Sequence, residues 1–387
     1  MTDTKRRLRI AVLNRVFSPI GGGAERYSIA LVEQLADRHE IHVFAQQIDH
    51  HWPGVTYHRI ARPLAKPRWM NQLWYASATW WATRRGFDVV HSHENTWHGQ
   101  VQTVHVLPVK YTLFHGRTGW RLALQWLKVA TSPRLMAYLG LEHARFSNAS
   151  SRRIVVTSNV LMNQMASTYP ATIPALRLVS PGVTMTGAFA TPEQQIAARQ
   201  RLHLPPTGLG ILFVGNDYRK KGLATLIKAL AELSGNTWLA VVGNAAQSAE
   251  FKVQTQAAGV ADRVFFLGNL KDVNDAYLAV DCLAHPTLED TFAMVVLEAM
   301  AHGLPVVVSS ARYCGVSDLL TDGVNALLVA QPRDSKALAS ALCRVIQTPS
   351  LRRDLAQAAM AFASSHQWSA VALQQETIYF SLLDAKT

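Results

Sequence analysis

The chain has 387 residues and a formal net charge of +12, with 49% hydrophobic and 17% charged residues. This length suits two α/β domains, and the composition excludes a disordered or low-complexity protein. No apolar run reaches the roughly 18 residues of a spanning helix, and the start of the chain gives no signal-peptide pattern. The widely spaced Cys282, Cys314 and Cys343 indicate reduced structural thiols in a cytosolic protein.

The positive charge is concentrated in the first half. Residues 1–185 hold 22 Lys and Arg against 9 Asp and Glu, whereas residues 186–387 hold 16 against 17. Such a field favours a polyanionic partner, which is either nucleic acid or an anionic lipid surface.

The first half alternates apolar runs with helical spacing. Tyr27, Leu31 and Leu35 recur every four residues after a glycine loop, which is typical of a helix that covers a sheet. The predicted elements are a strand at 9–14, a loop at 18–23, a helix at 24–38 and strands at 41–45, 87–91 and 102–106. Strand, loop, helix and strand in this order indicate a doubly wound parallel sheet.

The second half repeats this alternation more regularly. Strands are predicted at 210–214, 238–242, 264–267, 282–285 and 305–309, and helices at 222–233, 247–258, 273–280 and 292–302. A boundary at 180–189, followed by a polar segment at 191–204, separates a domain at 1–185 from one at 186–367. An apolar-periodic helix at 368–383 is predicted to cross back, so that residues 368–387 join the first domain.

Two loops lie where a predicted strand meets a predicted helix. Residues 21–23 are all glycine, which lets backbone N–H groups approach an anion or sugar; a simple tight turn is the alternative. The loop at 215–222 carries Arg219, Lys220 and Lys221 beside a helix start and suits a diphosphate; a solvated basic loop is the alternative.

The helix at 292–302 contains one acid, Glu298, among apolar neighbours. Burying a carboxylate there is costly without partners, and ribose hydroxyls would serve as donors. Asp290 precedes the helix and is expected to reach the same ligand. The alternative is a capping Asp290 and a Glu298 at the edge of the helix.

Histidines follow two strands of the first half. His105, at a strand end, is a candidate to position a sugar hydroxyl, with a structural histidine as the alternative. His91 and His93, with Glu94, resemble part of a metal cluster, but the sequence offers no third distant ligand, so no metal is expected.

The sequence resembles glycosyltransferase family 4 over nearly its whole length. The resemblance rests on Asp290 and Glu298 in the paired-acid signature, Lys221-Gly222 in the diphosphate loop, Gly22-Gly23 in the N-terminal loop and Thr103-Val104-His105 at a strand end. Within the family, residues 138–142 and 216–222 are most similar to lipopolysaccharide core α-glucosyltransferases.

This resemblance implies the GT-B fold, an α/β architecture in which two Rossmann-like, doubly wound parallel-sheet domains face a central cleft. Glu298 would hold the donor ribose and Lys221, helped by Lys220, the diphosphate, while Asp290 would approach the sugar hydroxyls and His105 its C6 end. His105 and Asp290 are thus the implied catalytic residues. The implied donor-binding residues are Gly22, Gly23, Asn216, Lys220, Lys221, Thr291, Phe292, Ala293 and Glu298.

The same resemblance implies retention of configuration without a protein nucleophile, and no metal or other cofactor. The implied donor is a UDP-sugar, with guanosine open. Four positions depart from the family: Asp290 where Glu is usual, Ala293 where Gly is common, Val106 in place of an acid and Asn216 in place of an arginine. These departures leave the choice of sugar open.

The first half is also rich in aromatic residues. Eight of the ten tryptophans precede residue 130, and residues 50–141 hold eleven Lys and Arg but two acids. Rings beside cations suit the headgroup zone of an anionic leaflet, although core tryptophans are the alternative. The residues expected at a membrane or acceptor are Trp69, Trp74, Trp80, Trp81, Arg84, Arg85, Arg117, Trp120, Arg121 and Lys128.

Together these features predict a hexosyltransferase that uses a nucleotide sugar and a lipid-linked or glycolipid acceptor in lipopolysaccharide or other envelope glycan synthesis. It is expected in the cytoplasm, peripherally bound to the inner face of the membrane, without a nucleic-acid partner. A GT-B nucleotide-sugar epimerase, a non-catalytic sugar-binding homologue and a nucleic-acid-binding protein are the alternatives. A sugar phosphorylase is disfavoured because no lysine for a pyridoxal cofactor is evident.

Overall fold

The computed structural model describes residues 6–19, 22–64, 66–147, 151–187 and 189–384. The chain forms two compact units, one of Met1–Pro181 with Trp368–Thr387 and one of Gly182–Gln367. The division thus comes slightly before the predicted boundary at residue 185. Val183 N donates to His366 O at 2.7 Å, and Thr186 Oγ1 donates to Ala301 O at 2.8 Å, so this segment packs with the second unit.

The first unit contains a seven-stranded parallel sheet in the order β5-β3-β1-β6-β7-β8-β9, with β2 and β4 as a separate parallel pair. Ile10, Val12 and Val89 are buried within this sheet, as expected when helices cover a parallel sheet. Its strands are β1 Arg9–Leu13, β2 Val16–Phe17, β3 Glu40–Ala45, β4 Gln47–Ile48, β5 Val55–Arg59, β6 Val89–Ser92, β7 Val101–Val104, β8 Arg153–Val156 and β9 Leu176–Leu178.

Among the described residues of the first unit, six α-helices precede its boundary. They are α1 Gly23–Leu35, α2 Arg68–Thr83, α3 Val109–Phe114, α4 Gly119–Ala130, α5 Pro133–Ser147 and α6 Asn159–Thr168. The described part of the chain has no helix with the length and apolarity needed to cross a membrane.

The second unit contains a six-stranded parallel sheet in the order β12-β11-β10-β13-β14-β15. Its strands are β10 Leu209–Gly215, β11 Thr237–Gly243, β12 Val264–Gly268, β13 Cys282–His285, β14 Val306–Ser309 and β15 Leu327–Val329. Its helices are α7 Pro192–Arg201, α8 Leu223–Ala231, α9 Ser248–Ala257, α10 Asn274–Leu278, α11 Met294–Ala301, α12 Ser335–Gln347 and α13 Pro349–Ser364.

Successive residues of β10 belong to two different cores. Leu212 packs in one buried cluster, whereas Ile211 and Phe213 pack in the other. Because side chains alternate between the faces of a strand, both faces of this sheet are covered. The continuous apolar runs that predicted these strands follow from this double burial.

The last helix, α14 Trp368–Asp384, belongs to the first unit and packs on α1. The Trp368 ring lies 5.4 Å from that of Tyr27 in an edge-on contact. The buried Glu376 carboxylate accepts hydrogen bonds from Arg38 at 2.6 Å and from His39 at 2.8 Å. These contacts anchor the C-terminal segment to the first sheet.

The predicted elements are present, with ends shifted by a few residues. The polar segment at 191–204 precedes the second sheet as expected, but no helix was predicted in it. It contains α7, where the Thr191 hydroxyl accepts from Gln194 N and the Gln194 side chain accepts from Thr191 N. This capping box starts the helix despite its few apolar residues.

Candidate functional site

In the second unit the strand order reverses between β10 and β13. Open parallel sheets bind ligands outside the carboxyl ends of such strands, so the segments that follow β10 and β13 are the expected ligand-binding segments. The segments approach closely: a Cβ on Gly222, whose φ is +79°, would lie 1.9 Å from the Pro286 carbonyl oxygen. A side chain at residue 222 is therefore excluded, and glycine keeps the basic loop against the segment after β13.

Lys221, Asp290 and His285 form a cluster at this point. The Lys221 ammonium donates to Asp290 Oδ2 at 2.5 Å and to the Glu289 carbonyl at 3.2 Å. The His285 Nε2 lies 3.2 Å from the same Asp290 oxygen. The predicted diphosphate-binding lysine and the predicted sugar-binding acid are thus direct partners.

The protonation states of the cluster follow from its surroundings. Burial raises the pKa of Asp290, but the His285 hydrogen bond and the Lys221 charge outweigh burial and hold that pKa below its usual range. Burial lowers the pKa of His285 by more than Asp290 raises it. Asp290 is therefore a carboxylate, and His285 is a neutral ring that donates through Nε2.

Asp290 also organises the start of α11. Its Oδ1 accepts from Phe292 N at 3.3 Å and from Ala293 N at 2.9 Å, in the turn before the helix. The N-cap residue of α11 is Ala293, which has no side-chain cap, so Asp290 stabilises the preceding turn rather than capping the helix. Phe292 is buried and Thr291 is half-buried. Ala293 has φ 71°, a left-handed conformation that costs a residue with a Cβ about 1–2 kcal/mol. One carboxylate thus caps the turn and pairs with Lys221.

The other predicted donor-loop residues are more exposed. Lys220 pairs with Glu289 at 2.9 Å, and both side chains are about half exposed. Asn216 is exposed, and its backbone carbonyl accepts from Gln247 at 3.2 Å. Solvent weakens the charge of Lys220 more than that of Lys221, so Lys221 is the stronger anion ligand of the pair.

Glu298 lies on α11 and is half-buried rather than enclosed. Its Oε2 accepts a hydrogen bond of 2.8 Å from the hydroxyl of Tyr277 on α10. The Tyr277 ring stacks on His302 at 4.7 Å, and His302 in turn contacts Asn274 Oδ1 at 2.9 Å. The carboxylate therefore has a fixed orientation and an accessible side.

Sequence reasoning missed His285 and Tyr277 as parts of this site. His285 ends the predicted strand at 282–285, and that signal was applied to His105 but not to His285. Tyr277 gave no sequence signal, because its contact with Glu298 joins two helices whose packing the sequence does not specify.

In the first unit, the glycine loop leads into α1. Gly21 lies outside the described residues, Gly22 is the N-cap and Gly23 begins the helix. The Glu25 carboxylate is close enough that a Cβ on Gly22 would lie 3.2 Å from its Oε2. A donor phosphate at this helix start would require Glu25 to turn away, because the two negative groups repel each other.

The rings of His91, His93 and His105 pack side by side at the carboxyl ends of β6 and β7. The His91 nitrogens contact the Tyr379 hydroxyl and the Thr103 hydroxyl, each at 2.7 Å, and the His93 Nδ1 lies 2.9 Å from the His105 Nε2. His105 is thus a third histidine near His91 and His93, but the rings pack against one another rather than pointing at a common centre. Within the described ranges, no three His, Cys, Asp or Glu side chains form a group that could hold a metal ion.

These histidines are neutral at physiological pH. Burial lowers the pKa of both His91 and His105 to about 3, and the nearby Arg145 charge adds to this effect. Arg145 is itself buried, and it donates to Gln102 Oε1 at 2.9 Å and to the Thr103 carbonyl at 2.7 Å. His105 can therefore position a ligand by a neutral hydrogen bond but not by charge.

We expect the first unit to lose stability below pH 6.5. His91 and His105 titrate at about 3 when folded and near 6.5 when unfolded, so the unfolded state binds their protons first. The free energy of unfolding then falls as pH decreases from 6.5 to 3, by roughly 2 kcal/mol per histidine between pH 7 and pH 5. Denaturant titration followed by tryptophan fluorescence measures this, because nine of the ten tryptophans lie in the first unit.

The His91→Gln variant is the matching test, since glutamine keeps polar atoms for Tyr379 and Thr103 but does not titrate. Its loss of stability between pH 7 and pH 5 should be smaller than that of the wild type by roughly 2 kcal/mol. The exposed His115, changed to Gln, is the control and should behave as the wild type. A His91→Gln variant with the full acid sensitivity would contradict the assignment.

The aromatic residues predicted at a membrane lie mostly on the surface. Trp74, Trp80 and Trp81 on α2 are exposed, whereas Trp69 is half-buried. The Arg84 guanidinium lies 3.5 Å from the Trp81 ring centre, which is a cation–π contact. The following Arg85 is also exposed. Surface exposure favours the interfacial interpretation of this group over core packing.

Helix α4 has its apolar side in solvent. Trp120, Leu124 and Leu127 recur at helical spacing and are 69%, 54% and 60% exposed. Gln125, on the other side, is buried and accepts from the exposed Arg117 at 2.8 Å. Such a helix is inverted relative to ordinary packing, in which the apolar side faces the core. The remaining predicted contacts of this helix, Arg121 and Lys128, are exposed.

Comparison with known proteins extends to both units. The model for Glycosyltransferase Family 4 matches residues 21–186, and that for Glycosyl transferases group 1 matches residues 194–362. The D-inositol 3-phosphate glycosyltransferase of Actinosynnema mirum is 34% identical over 237 residues, 57% of this chain and 55% of that protein. The lipopolysaccharide glucosyltransferase WaaG of Escherichia coli K12 is 26% identical over 238 residues, 60% of this chain and 63% of WaaG. The matched regions thus span less than two thirds of both relatives.

Solved structures match the whole chain. The crystal structure of WaaG, a glycosyltransferase involved in lipopolysaccharide biosynthesis, gives a TM-score of 0.81 at 21% identity and covers 96% of this chain and 99% of that one. Anabaena HepE in complex with UDP and glucose gives a TM-score of 0.75 at 19% identity, with 97% and 100% covered. With both family models matched and this fold shared, the chain belongs to glycosyltransferase family 4 and has the GT-B fold.

Proposed function

We propose that the protein is a retaining hexosyltransferase that moves a hexose from a nucleotide sugar, a UDP-sugar, to a lipid-linked or glycolipid acceptor. Lipopolysaccharide or another envelope glycan is the proposed product. One observation carries the proposal: Lys221, Asp290 and His285 meet beyond the carboxyl ends of β10 and β13. An ammonium group and a carboxylate side by side match a diphosphate joined to a sugar.

Donor binding would replace the ion pair between Lys221 and Asp290 by contacts of each residue with the donor. A diphosphate only accepts hydrogen bonds, so it would take the Lys221 ammonium from Asp290. The released Asp290 Oδ2 would then accept from a hydroxyl of the transferred sugar, while Oδ1 keeps its bonds to Phe292 and Ala293. The backbone therefore holds Asp290 in place while its outer oxygen changes partner.

Glu298 is the proposed ribose ligand. The Tyr277 hydroxyl fixes one of its oxygens, which leaves the carboxylate oriented for donors such as the two ribose hydroxyls. This proposal is supported by the likeness to HepE, a neighbour solved in complex with UDP and glucose.

Charge developing on the leaving diphosphate would be stabilised by Lys221 and, more weakly, by Lys220. No step is assigned to a metal ion or to a protein nucleophile, and attack from the face that the diphosphate leaves would retain configuration.

A thermal-shift screen with UDP-, GDP-, ADP- and dTDP-sugars in the presence of EDTA tests the proposal. A nucleotide sugar present at a hundred times its Kd raises the free energy of unfolding by about 2.7 kcal/mol. We expect a clear rise in Tm with UDP-sugars. A rise with none of the four at millimolar ligand would contradict donor binding.

We further propose that the first unit docks on the anionic inner face of the cytoplasmic membrane, where it would meet its acceptor. The inverted helix α4 and the exposed Trp80, Trp81 and Arg84 support this, because rings and cations together suit the headgroup zone. Similarity to WaaG, a lipopolysaccharide glucosyltransferase, agrees with such a location.

Reversing three exposed charges should weaken this docking. Each basic residue near an anionic surface contributes about 1 kcal/mol, so removing three of them should lower affinity for phosphatidylglycerol vesicles by roughly 100-fold. Changing Arg84, Arg85 and Arg121 to Glu also adds repulsion, so the loss should be at least that large. Sedimentation with vesicles measures the change. The control replaces the exposed Lys228, Lys252 and Arg312 of the second unit, which alters net charge equally and should leave vesicle binding nearly unchanged. Equal sedimentation of both triple variants would count against docking through the first unit.

A further inference from the structure

Helices α3, α4 and α5 of the first unit line an open cavity of about 540 Å³. Its wall is formed mainly by Phe114, Trp126, Val129, Met136 and Leu139. A volume of this size suits a small-molecule or chain-like ligand rather than a few water molecules. The apolar wall favours hydrocarbon as the occupant.

The polar groups of the cavity lie at its solvent side. Lys110 and His143 line it and are both exposed, so they mark its mouth. The Lys110 ammonium is 5.0 Å from the centre of the Tyr169 ring and 3.4 Å from the Thr168 carbonyl. An occupant would therefore meet the Lys110 ammonium as well as the apolar side chains.

Glu142 does not line the cavity but holds two of its lining residues, Lys110 and Tyr169. It is buried and accepts from Val109 N at 2.5 Å, from Lys110 N at 2.9 Å and from the Tyr169 hydroxyl at 2.7 Å. These bonds tie the start of α3 and Tyr169 to α5. Glu142 is the only acid between residues 95 and 192, a stretch with nine Lys and Arg. Glu142 is therefore the one acid that this stretch of the chain supplies, and its charge is taken up by hydrogen bonds.

The cavity adjoins the inverted helix α4. Trp126 lines it, is 53% exposed and packs 4.5 Å from the Phe114 ring. The outward-facing Trp120, Leu124 and Leu127 belong to the same helix. Hydration of an apolar cavity and of the apolar helix surface beside it is unfavourable in free energy, so replacement of this water by hydrocarbon is favoured.

We propose that this cavity receives one acyl chain of an anionic membrane phospholipid, with the phosphate held at Lys110. Burial of the chain and neutralisation at the mouth would turn adsorption to the membrane into anchored binding. The inference rests on the proposed membrane partner but not on glycosyl transfer, and it adds a specific lipid site to surface attraction.

Filling the cavity tests the proposal. A Cβ on Gly140, which lines the cavity, meets no atom within 4 Å, so Gly140→Leu adds bulk there without a backbone clash. Leucine is also a better helix former than glycine, which protects the fold of α5. The matched control is Ala123→Leu, which adds the same kind of bulk to an exposed position of α4 that does not line the cavity.

The measurement is binding to vesicles of equal parts phosphatidylglycerol and phosphatidylcholine. We expect Gly140→Leu to bind about tenfold more weakly than the wild type, the loss expected when roughly two methylene groups are no longer buried. Ala123→Leu should bind at least as well as the wild type. Brominated acyl chains should quench the tryptophan fluorescence of the wild type more than that of Trp126→Phe. In the presence of Gly140→Leu, the Trp126→Phe change should no longer reduce this quenching.

Other outcomes would overturn the proposal. Equal vesicle binding by Gly140→Leu, Ala123→Leu and the wild type would leave only surface attraction, and absence of wild-type binding would remove the membrane partner as well. Dimerisation of the wild type without lipid, lost in Gly140→Leu, would assign the cavity to a second copy of the chain.

Release of hexose from a nucleotide sugar by Gly140→Leu at the wild-type rate would show that the transferase site is separate.

Discussion

Replacing Lys221 with alanine should reduce turnover of the nucleotide sugar by about 10²–10³-fold, the usual cost of removing a group that stabilises charge in the transition state. Lys221 Nζ is 2.5 Å from Asp290, and its side chain is 21% exposed, so water replaces its charge poorly. Steady-state release of nucleotide diphosphate measures the loss.

The neighbouring Lys220 is the natural comparison for Lys221. Lys220 pairs with Glu289 on the surface, with side chains 58% and 49% exposed, so Lys220→Ala should have a much smaller effect. Lys228→Ala, exposed in the last turn of α8, should have none. Near-wild-type turnover by Lys221→Ala would remove Lys221 from the donor site.

Loss of Lys221 should also change the titration of Asp290. The Lys221 charge helps to hold the pKa of Asp290 below its ordinary value, so that pKa should rise in the variant. The stability that ionised Asp290 contributes would then be smaller, and its loss on acidification would be complete at a higher pH than in the wild type. Acid unfolding of the second unit reports this change independently of turnover.

Replacing Glu298 with alanine should weaken nucleotide binding by roughly 10- to 100-fold, because hydrogen bonds to a charged group contribute about 1.5–3 kcal/mol. The fold should persist, since the Tyr277 hydroxyl, 2.8 Å from Glu298, also lies 3.5 Å from the Val295 carbonyl and keeps an acceptor. Titration calorimetry with UDP measures the affinity.

Two further variants separate the ribose contact from general charge. Glu232→Ala removes an exposed acid at the end of α8 and should leave UDP affinity unchanged. Glu298→Gln keeps the side chain near Tyr277 but weakens it as an acceptor, so its affinity should fall between those of the wild type and Glu298→Ala. Equal UDP affinity in the wild type and Glu298→Ala would refute the ribose assignment.

The second sheet was predictable because its strands are buried on both faces. Residues 282–285 form a short apolar run, and β13 has those bounds. Each strand is followed by a helical pattern, and this alternation fixes a parallel sheet and the edge where ligands bind. The meeting of Lys221 and Asp290, 69 positions apart, follows from that edge.

Other elements lacked such a signal. In α7 the buried Arg199 pairs with Asp281 at 3.1 Å, so a charged residue occupies a core-facing position and masks the helical period. In α4 the apolar side is exposed and Gln125 is buried, so the pattern does not indicate which face packs. Propensity and periodicity fail where the partner of a helix is polar or lies outside the chain.

The site chemistry was partly visible. Residue types and spacing pointed to Asp290 and Glu298, but not to the fact that Asp290 holds the turn before α11 through Ala293 N while it pairs with Lys221. The contact between His93 and His105 was missed because adjacent strands place side chains together only once their register is known. Pairwise geometry of this kind arises from sheet register and helix packing rather than from local sequence.

The most direct test of the central claim is the configuration of the hexose first released from the donor. The protein is incubated with the UDP-hexose that raises its Tm, in EDTA and without acceptor, and proton NMR follows the anomer that appears before mutarotation. A retaining transferase that uses Lys221 and Lys220 in place of a metal should release the α anomer from an α-linked donor. Release of the β anomer, or no hexose from any nucleotide sugar that binds, would contradict the account.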